Sequence, residues 1–589
     1  YETDLSREYK TIIQAYADGL NSYAAKNPKE IELKGVFPVT SKTILTSYVI
    51  ILTSMVGTPG ALEAVVKGKP DEYIFNASAG SNGIAMNSRI TTDSSTYLLI
   101  NPHVPLEGSA SWYEAHVCSE EGLNMYGALV PGMIFPAMGC NEHLGWAITF
   151  NWPDYVDIYK MEINPANRNQ YKFDDEWYDF EVRKIPLKVK AMIGKPTVKK
   201  EALWCIYGPA YRTKNGVYAL RYNTMFNVKA AEQWYKLSKA QQYSEFYKAM
   251  EMQGIPLFNF VMADDQNNIF YLFNALLPVR DPGYDWQKTL PGNTSKTFWN
   301  SFYPVSQLPQ MYNPQCGYVY NTNNTPFHCT SVEENPSEAS FNKQSGFYWN
   351  RVNNRELRFN ELMAGKTKIS FDDLKKIKYD CAYPSKQGGI YKTFKPIYDL
   401  KESEHPDIAD AIVKLKKWDF TGYADNREAA LVAFTMDYLF RKKNGAYNEL
   451  ETGIEYSTDL LLEAIRHAKK EMIKHHQTID ILFGDVQRLM REGKSYSVYG
   501  LPECLKSLAS DVTKDGMLRA QNGDSFIMFA KFSKAGNTYE TIVPYGESRR
   551  KDSPHLMDQM ELYSQQKTKP ITLDRSTVLK TATRIYHPQ

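Results

Sequence analysis

Ala79-Gly80-Ser81-Asn82-Gly83-Ile84-Ala85-Met86-Asn87-Ser88-Arg89-Ile90 decides how this chain is read. Taken alone, the stretch supports two meanings. Gly and Asn adopt positive φ cheaply, so Gly80 to Gly83 could be a tight turn and nothing more. It also comes close to the G-x-S-x-G nucleophile elbow, with Ala79 where the first Gly belongs. An elbow needs a helix straight after its serine. Ile84 to Ile90 favours a strand, which counts against that reading.

Upstream, residues 5–25 carry apolar residues at helical spacing and stop before Asn27-Pro28, which predicts a helix. A second helix is predicted over 42–56. The longest apolar run, Ser47–Val56, is half of the ~20 residues that a bilayer crossing needs. It reads as a buried helix, and no membrane span is expected. Gly57 to Gly80 reads as a linker with one helical turn near Ala61–Val66. Downstream of Ser81 come short apolar, β-branched runs such as Ser95–Ile100 and His143–Phe150. Pro131-Gly132 and Asn151-Trp152-Pro153 separate them as turns. Hairpins are expected over 171–225 and 256–276, a helix over 229–252 and a strand at 316–321. Residues 356–380 and 406–480 read as charged helices with solvated faces, and the last strands lie near 524–532 and 539–544. The pattern is α+β, with a helical excursion between sheets.

The chain has 589 residues, 43% apolar and 23% charged, enough for a sizeable core. Aromatics make up 13% and suit half-buried sheets. The net charge of +2 offers no basic field, so nucleic acid is not an expected partner. Seven scattered cysteines form no C-x-x-C pair, and their odd number leaves at least one thiol unpaired.

Several ordered blocks give the stretch its context. Ahead of it stands Ala15-Tyr16-Ala17-Asp18-Gly19-Leu20-Asn21. After Gly80-Ser81-Asn82 come Asn101-Pro102-His103, Trp112-Tyr113-Glu114 and Pro131-Gly132. Asn141 with Gly145-Trp146-Ala147 and Thr149 follows, then Asp154 with Val156-Asp157, Tyr320-Asn321-Thr322-Asn323-Asn324 and Arg351. The series closes on Pro544-Tyr545-Gly546, Ser548 and Ser553-Pro554-His555. In this order and spread over nearly the whole chain, the blocks resemble the penicillin acylase family of N-terminal-nucleophile hydrolases. The nearest branch is that of the acyl-homoserine lactone and aculeacin acylases.

The resemblance implies a four-layer αββα sandwich with a helical insertion near 400–490. It implies that the chain cuts itself between Gly80 and Ser81. Residues 1–80 would then be the C-terminal part of a small chain with its linker, and 81–589 the large chain of a heterodimer. The segment ahead of Ser81 is shorter than the family pattern. The implied reaction is hydrolysis of the amide in N-acyl substrates of acyl-homoserine lactone, penicillin or lipopeptide type, in an exported, periplasmic or extracellular protein. No organic cofactor is expected.

The chemistry is coherent. A serine hydroxyl needs a base, and the freed α-amine of Ser81, with a pKa of about 7.7–8.0, can serve. Gly80 would ease the geometry of the bond that breaks. By the same resemblance His103 orients the nucleophile. The Asn323 side chain and the Phe150 backbone N–H form the oxyanion hole, and Arg351 holds Asn323 or the α-amine in place. Val104 and Met138 would line an apolar acyl pocket. Asp154, the Val156 carbonyl, Asp157 and Glu63 would hold a structural calcium ion, which takes six to eight oxygens. Taken alone, each site also has a plainer reading: a structural histidine, a polar turn at 321–324, a surface arginine and solvated acids. A different serine chemistry is offered by Ser340-Phe341-Asn342-Lys343, an S-x-x-K pattern without its S-D-N and K-T-G companions.

Overall fold

The computed structural model describes residues 2–33, 35–73, 80–189, 197–341, 352–442 and 456–587, with side chains as far as 439 in the fifth span. Strand β1, Gly80–Met86, lies at the centre. It pairs antiparallel with β2, Thr96–Pro105, on one edge and with the strand Tyr318–Asn321 on the other. Alternate residues of β1 and β2 serve two cores, because successive side chains leave a strand on opposite faces. Ala85, Leu98 and Ile100 face one core; Ile84, Met86, Tyr97 and Leu99 face the other.

These strands belong to a ten-stranded sheet. Beyond β2 it continues through Leu518–Asp524 and Ile527–Phe532 to Thr538–Ile542. A seven-stranded sheet packs against it. That sheet holds β3 (Tyr113–Ser119), β4 (Leu123–Leu129), β5 (Met138–Cys140) and β6 (Leu144–Thr149), followed by Asn259–Asp264, Ile269–Phe273 and Gln310–Tyr312. The two sheets come close together at Gly83. A Cβ there would stand 3.1 Å from Ala147 Cβ and 3.2 Å from Val261 Cγ2.

Helices cover both outer faces. Helices α1 (Arg7–Lys26), α2 (Ser41–Met55), α4 (Ala230–Lys239) and α5 (Tyr243–Met250) lie over the seven-stranded sheet, with α3 (Thr58–Lys67) joining α2 to the third sheet described below. Trp146 of β6 meets Phe246 of α5 at 6.0 Å between ring centroids. Helices α6 (Asn354–Met363) and α7 (Phe371–Lys378) cover the ten-stranded sheet, where Phe359 packs on Tyr320 at 4.2 Å. The result is the four-layer αββα sandwich. The helical insertion has its own core around Phe394, Trp418, Leu431 and Ile465. It comprises α8 (Gly388–Phe394), α9 (Ala409–Lys416), α10 (Glu428–Lys442) and Thr458–His476.

Three details differ from expectation. The expected single turn near Ala61–Val66 is the ten-residue helix α3, opened by Pro59 and closed by left-handed Gly68 (φ 75°). The run Ser47–Val56 is buried on one side only, since Ile50 and Ile51 are 60% and 55% exposed. Residues 156–222, with Leu290–Pro291 as the strand paired parallel to β7 (Val156–Met161), build a third, six-stranded sheet beside a small three-stranded one. Among the described residues no single helix is long and apolar enough to cross a membrane.

The sheet contact at Gly83 is testable. Gly83→Val forces Ala147 and Val261 apart and is expected to cost about 1–3 kcal/mol of stability, read from the urea midpoint. An unchanged midpoint would mean that the sheet spacing is not set there.

Candidate active site

Ser81 stands at the start of β1, opposite Pro102, and is 3% exposed. Its hydroxyl lies against the carbonyl oxygen of Gly80, in the peptide unit expected to break. Its backbone N–H donates to Asn323 Oδ1 at 2.6 Å, and its carbonyl accepts from Arg355 Nη1 at 2.7 Å. Gly80 is extended strand, so unusual φ is not why glycine stands there. The reason is space: a Cβ would sit 3.2 Å from His103 Nδ1 and 3.3 Å from Arg355 Nη2.

The polar stretch 321–324 divides its work. Asn321 Oδ1 accepts from Thr149 Oγ1 at 2.5 Å and from Asn259 Nδ2 at 3.1 Å, tying the two sheets together. Asn324 Oδ1 accepts from Thr322 N at 2.7 Å and builds the turn. Asn323, with φ at 68°, is the one that faces Ser81. Asparagine tolerates this left-handed conformation better than most residues. Its Nδ2 donates to the Phe150 carbonyl at 2.8 Å, so Phe150, which follows the end of β6, joins the same cluster.

Arg351 lies outside the described residues. The arginine seen at the site is Arg355, four positions on and fully buried. Its Nη2 donates to Asn323 Oδ1 at 3.0 Å, its Nη1 also reaches Asn82 Oδ1 at 3.0 Å, and its Nε faces Glu503 Oε2 at 3.2 Å. Arg355 sits in the first turn of α6. That helix is capped by Asn353, which accepts from Glu356 N at 2.8 Å and donates to Thr322 O at 2.8 Å. The cap pattern Asn353-x-x-Glu356 was legible in the sequence and would have put Arg355 at this helix start.

His103 is buried against β1. Its Nε2 lies 2.9 Å from Asn101 Oδ1 and 3.2 Å from Asp524 Oδ1. Asn82 Nδ2 also lies 3.3 Å from Nε2, and the Nδ1 edge of the ring is turned to Gly80. Burial pulls the imidazole pKa down to about 4; Asp524 resists, and Arg355 and Lys378 add to the fall. Asp524 had no signal of its own in the sequence. Its Oδ2 receives both Lys378 Nζ at 2.8 Å and Lys506 Nζ at 3.1 Å. Burial opposes the Asp524 charge, but these two ammonium groups with His103 hold its carboxyl well below the ordinary range. Lys378 falls in a segment expected to be solvated, yet it is fully buried at the end of α7.

Val104 is half-buried on β2, and Met138 is fully buried in the core between the sheets. A cleft of about 710 Å³ lies elsewhere, walled by Glu107, Arg491, Arg519 and Lys551. Ser340 is exposed, and Lys343 lies outside the described residues, so the S-x-x-K pattern gains no geometry.

The residues expected around calcium do not fit a cation. The Glu63 side chain is 62% exposed and paired with Lys67, whereas Asp154 and Asp157 close on the buried guanidinium of Arg280. Among the described residues no group of three His, Cys, Asp or Glu side chains is arranged to hold a metal.

The sequence pattern of the penicillin amidase family matches residues 1–580. The chain belongs to that family. Membership makes it an amidohydrolase of acyl compounds. Among curated relatives, an acyl-homoserine lactone acylase PvdQ of Pseudomonas syringae pv. syringae is 22% identical over 542 residues, covering 83% of this chain and 68% of the relative. Penicillin G acylase of Escherichia coli is 26% identical over 293 residues, covering 46% of this chain and 33% of the relative. A thermostable penicillin G acylase from Alcaligenes faecalis has a similar fold, with a TM-score of 0.61 at 18% identity over 86% of this chain and 99% of that one.

Two outcomes test this electrostatics. Asp524→Asn strands two buried lysines and is expected to cost about 3–5 kcal/mol, read by urea unfolding. The folded-state pKa of His103 is depressed, so its contribution is present above the unfolded value and is lost as pH falls from about 6.5 through about 4. His103→Gln should remove that slope, which amounts to about 3 kcal/mol between pH 7 and 4.

Proposed function

We propose that the chain hydrolyses the amide bond of N-acyl substrates through an acyl-enzyme on Ser81, after Ser81 has cut its own bond to Gly80. The observation that carries this is the position of the Ser81 hydroxyl against the Gly80 carbonyl, with the Ser81 nitrogen held by Asn323. In the cut, Ser81 Oγ adds to the Gly80 carbonyl carbon and its proton passes to a base, for which His103 Nδ1 faces the bond. The C–N bond then breaks and the nitrogen takes up a proton. Water hydrolyses the resulting ester, leaving a Gly80 carboxylate and a free α-amine on Ser81.

That amine is the base for turnover. It takes the Oγ proton as Oγ attacks the substrate carbonyl, and it returns a proton to the departing amine. Asn323 Nδ2 and the Phe150 N–H are the donors we assign to the oxyanion. The guanidinium of Arg355 binds the same Asn323 oxygen that the Ser81 nitrogen uses. A positive charge there disfavours protonation of the amine, whose ordinary pKa is about 7.7–8.0, and so keeps it in the accepting form. We assign the acyl group to the space between the sheets, flanked by Val104 and Met138. Acyl-homoserine lactones, lipopeptides and penicillin-type amides are the substrates to screen.

The intact mass of denatured, reduced protein, with N-terminal sequencing, tests the reading. The expected result is two pieces, the larger beginning Ser81-Asn82-Gly83. Ser81→Ala should remain one chain and lose at least about 10³-fold in amidase activity. A wild-type chain that stays whole would refute the reading and favour an uncleaved homologue that only binds acylated ligands.

A further inference from the structure

We propose that the buried guanidinium of Arg280 replaces the divalent cation that the family resemblance placed behind the oxyanion strand. This chain then fastens the loop 151–156 without calcium. The loop begins directly after Phe150, so whatever holds it also positions the backbone that we assign to the oxyanion.

Asp157 is fully engaged by nitrogen donors, whereas Asp154 Oδ2 is buried with only its ion-pair contact to Arg280. Asp157 Oδ1 accepts from Arg280 Nη2 at 3.0 Å. Asp157 Oδ2 accepts from Arg280 Nη2 at 3.0 Å, from Arg280 Nε at 3.3 Å and from Trp299 Nε1 at 2.6 Å. Asp154 gives its backbone carbonyl to Arg280 Nη2 at 3.2 Å, and its carboxylate Oδ2 lies 3.3 Å from the same nitrogen. The guanidinium stacks at 5.3 Å on the ring of Trp286. Its side chain has no exposed surface. Calcium binds six to eight oxygens at 2.3–2.6 Å. Here the Asp157 carboxylate and the Asp154 carbonyl accept hydrogen bonds from Arg280, the Asp154 carboxylate is ion-paired with it at 3.3 Å, and the Glu63 carboxylate is turned to solvent.

Charge leads to the same conclusion. Burial raises both carboxyls, Asp154 to about 7, against the pull of Arg280, so near neutral pH the pair does not carry two full negative charges and one guanidinium answers most of what remains. Arg221 stands behind Trp299: it donates to the Trp299 carbonyl at 2.7 Å and lies 4.5 Å from the ring whose Nε1 donates to Asp157. A guanidinium does not release its proton in a protein. A calcium ion entering between Asp154 and Asp157 would therefore share them with a fixed cation that cannot neutralise itself.

Metal analysis and thermal unfolding of the full-length protein, exchanged into EDTA or into excess calcium chloride, decide the matter. The expected result is no stoichiometric calcium and a change in Tm of less than about 1 °C between the two buffers, whereas a saturated native-state site would raise Tm by several degrees. Stoichiometric calcium, or a Tm that rises with calcium in the wild type, would overturn the proposal. Arg280→Ala frees the two carboxylates and is expected to lose stability and to regain part of it with calcium. An Arg280→Ala protein that folds but ignores calcium would show that the guanidinium does not stand in for a cation, and would also overturn it. Should that variant fail to fold, the wild-type comparison remains decisive.

Discussion

The structure depends on the antiparallel pairing of β1 with two strands at once. Gly80–Met86 lies between Thr96–Pro105 and Tyr318–Asn321, and the registers are fixed because both faces of β1 are buried. A slip of one residue would exchange the residues of the two cores. The same register sets His103 opposite Gly80 and brings the turn after Asn321 to the serine. Three segments remote in sequence are thus delivered to one point by strand pairing, without a dedicated binding loop.

Burial then dictates the electrostatics. Each charge near the site lacks water and must be answered inside the protein. Arg355 faces Glu503 and the oxygens of Ser81, Asn82 and Asn323. Asp524 is answered by two lysines, so its 3.2 Å approach to His103 Nε2 does not require the imidazole to be charged. Asp157 is answered by Arg280 and an indole N–H. In each cluster a carboxylate fixes a cation or a ring that itself fixes backbone near Ser81 or Phe150. Rigidity at the site comes from these enclosed clusters as much as from the sheets.

Local pattern explains what the sequence could convey. The sandwich and its helical insertion were legible because apolar spacing changes from helical to strand period at Ser81, and because ordered blocks tie that change to a known family. Asn323 was readable as part of a polar turn, but only packing separates it from Asn321 and Asn324, which spend their side chains on the sheet junction and the turn. Arg355 was not singled out because two arginines four residues apart look alike until the cap at Asn353 sets where the helix starts. Lys378 and Lys506 were out of reach, since a lysine in a charged segment looks solvated unless its buried partner is known, and Asp524 is distant in sequence from both. Glu63 failed for the opposite reason: an acid at a promising spacing turned to solvent and paired with its own helix.

The contact between the Ser81 nitrogen and Asn323 Oδ1 also bears on how one site could serve two reactions. In the uncut chain that nitrogen is an amide that donates a hydrogen bond, and the 2.6 Å contact fixes the orientation of the peptide unit. After the cut proposed above, the same nitrogen is an amine with a lone pair. One of its N–H bonds can still donate to Asn323 Oδ1, which aims the lone pair elsewhere. Arg355 pins Asn323 and the Ser81 carbonyl at 3.0 and 2.7 Å, so neither has to move when the preceding residue leaves. The 3% exposure of Ser81 follows from Gly80 still lying against His103 and Arg355. Departure of that segment is the change that would open the nucleophile to a substrate while leaving the polar groups around it in place.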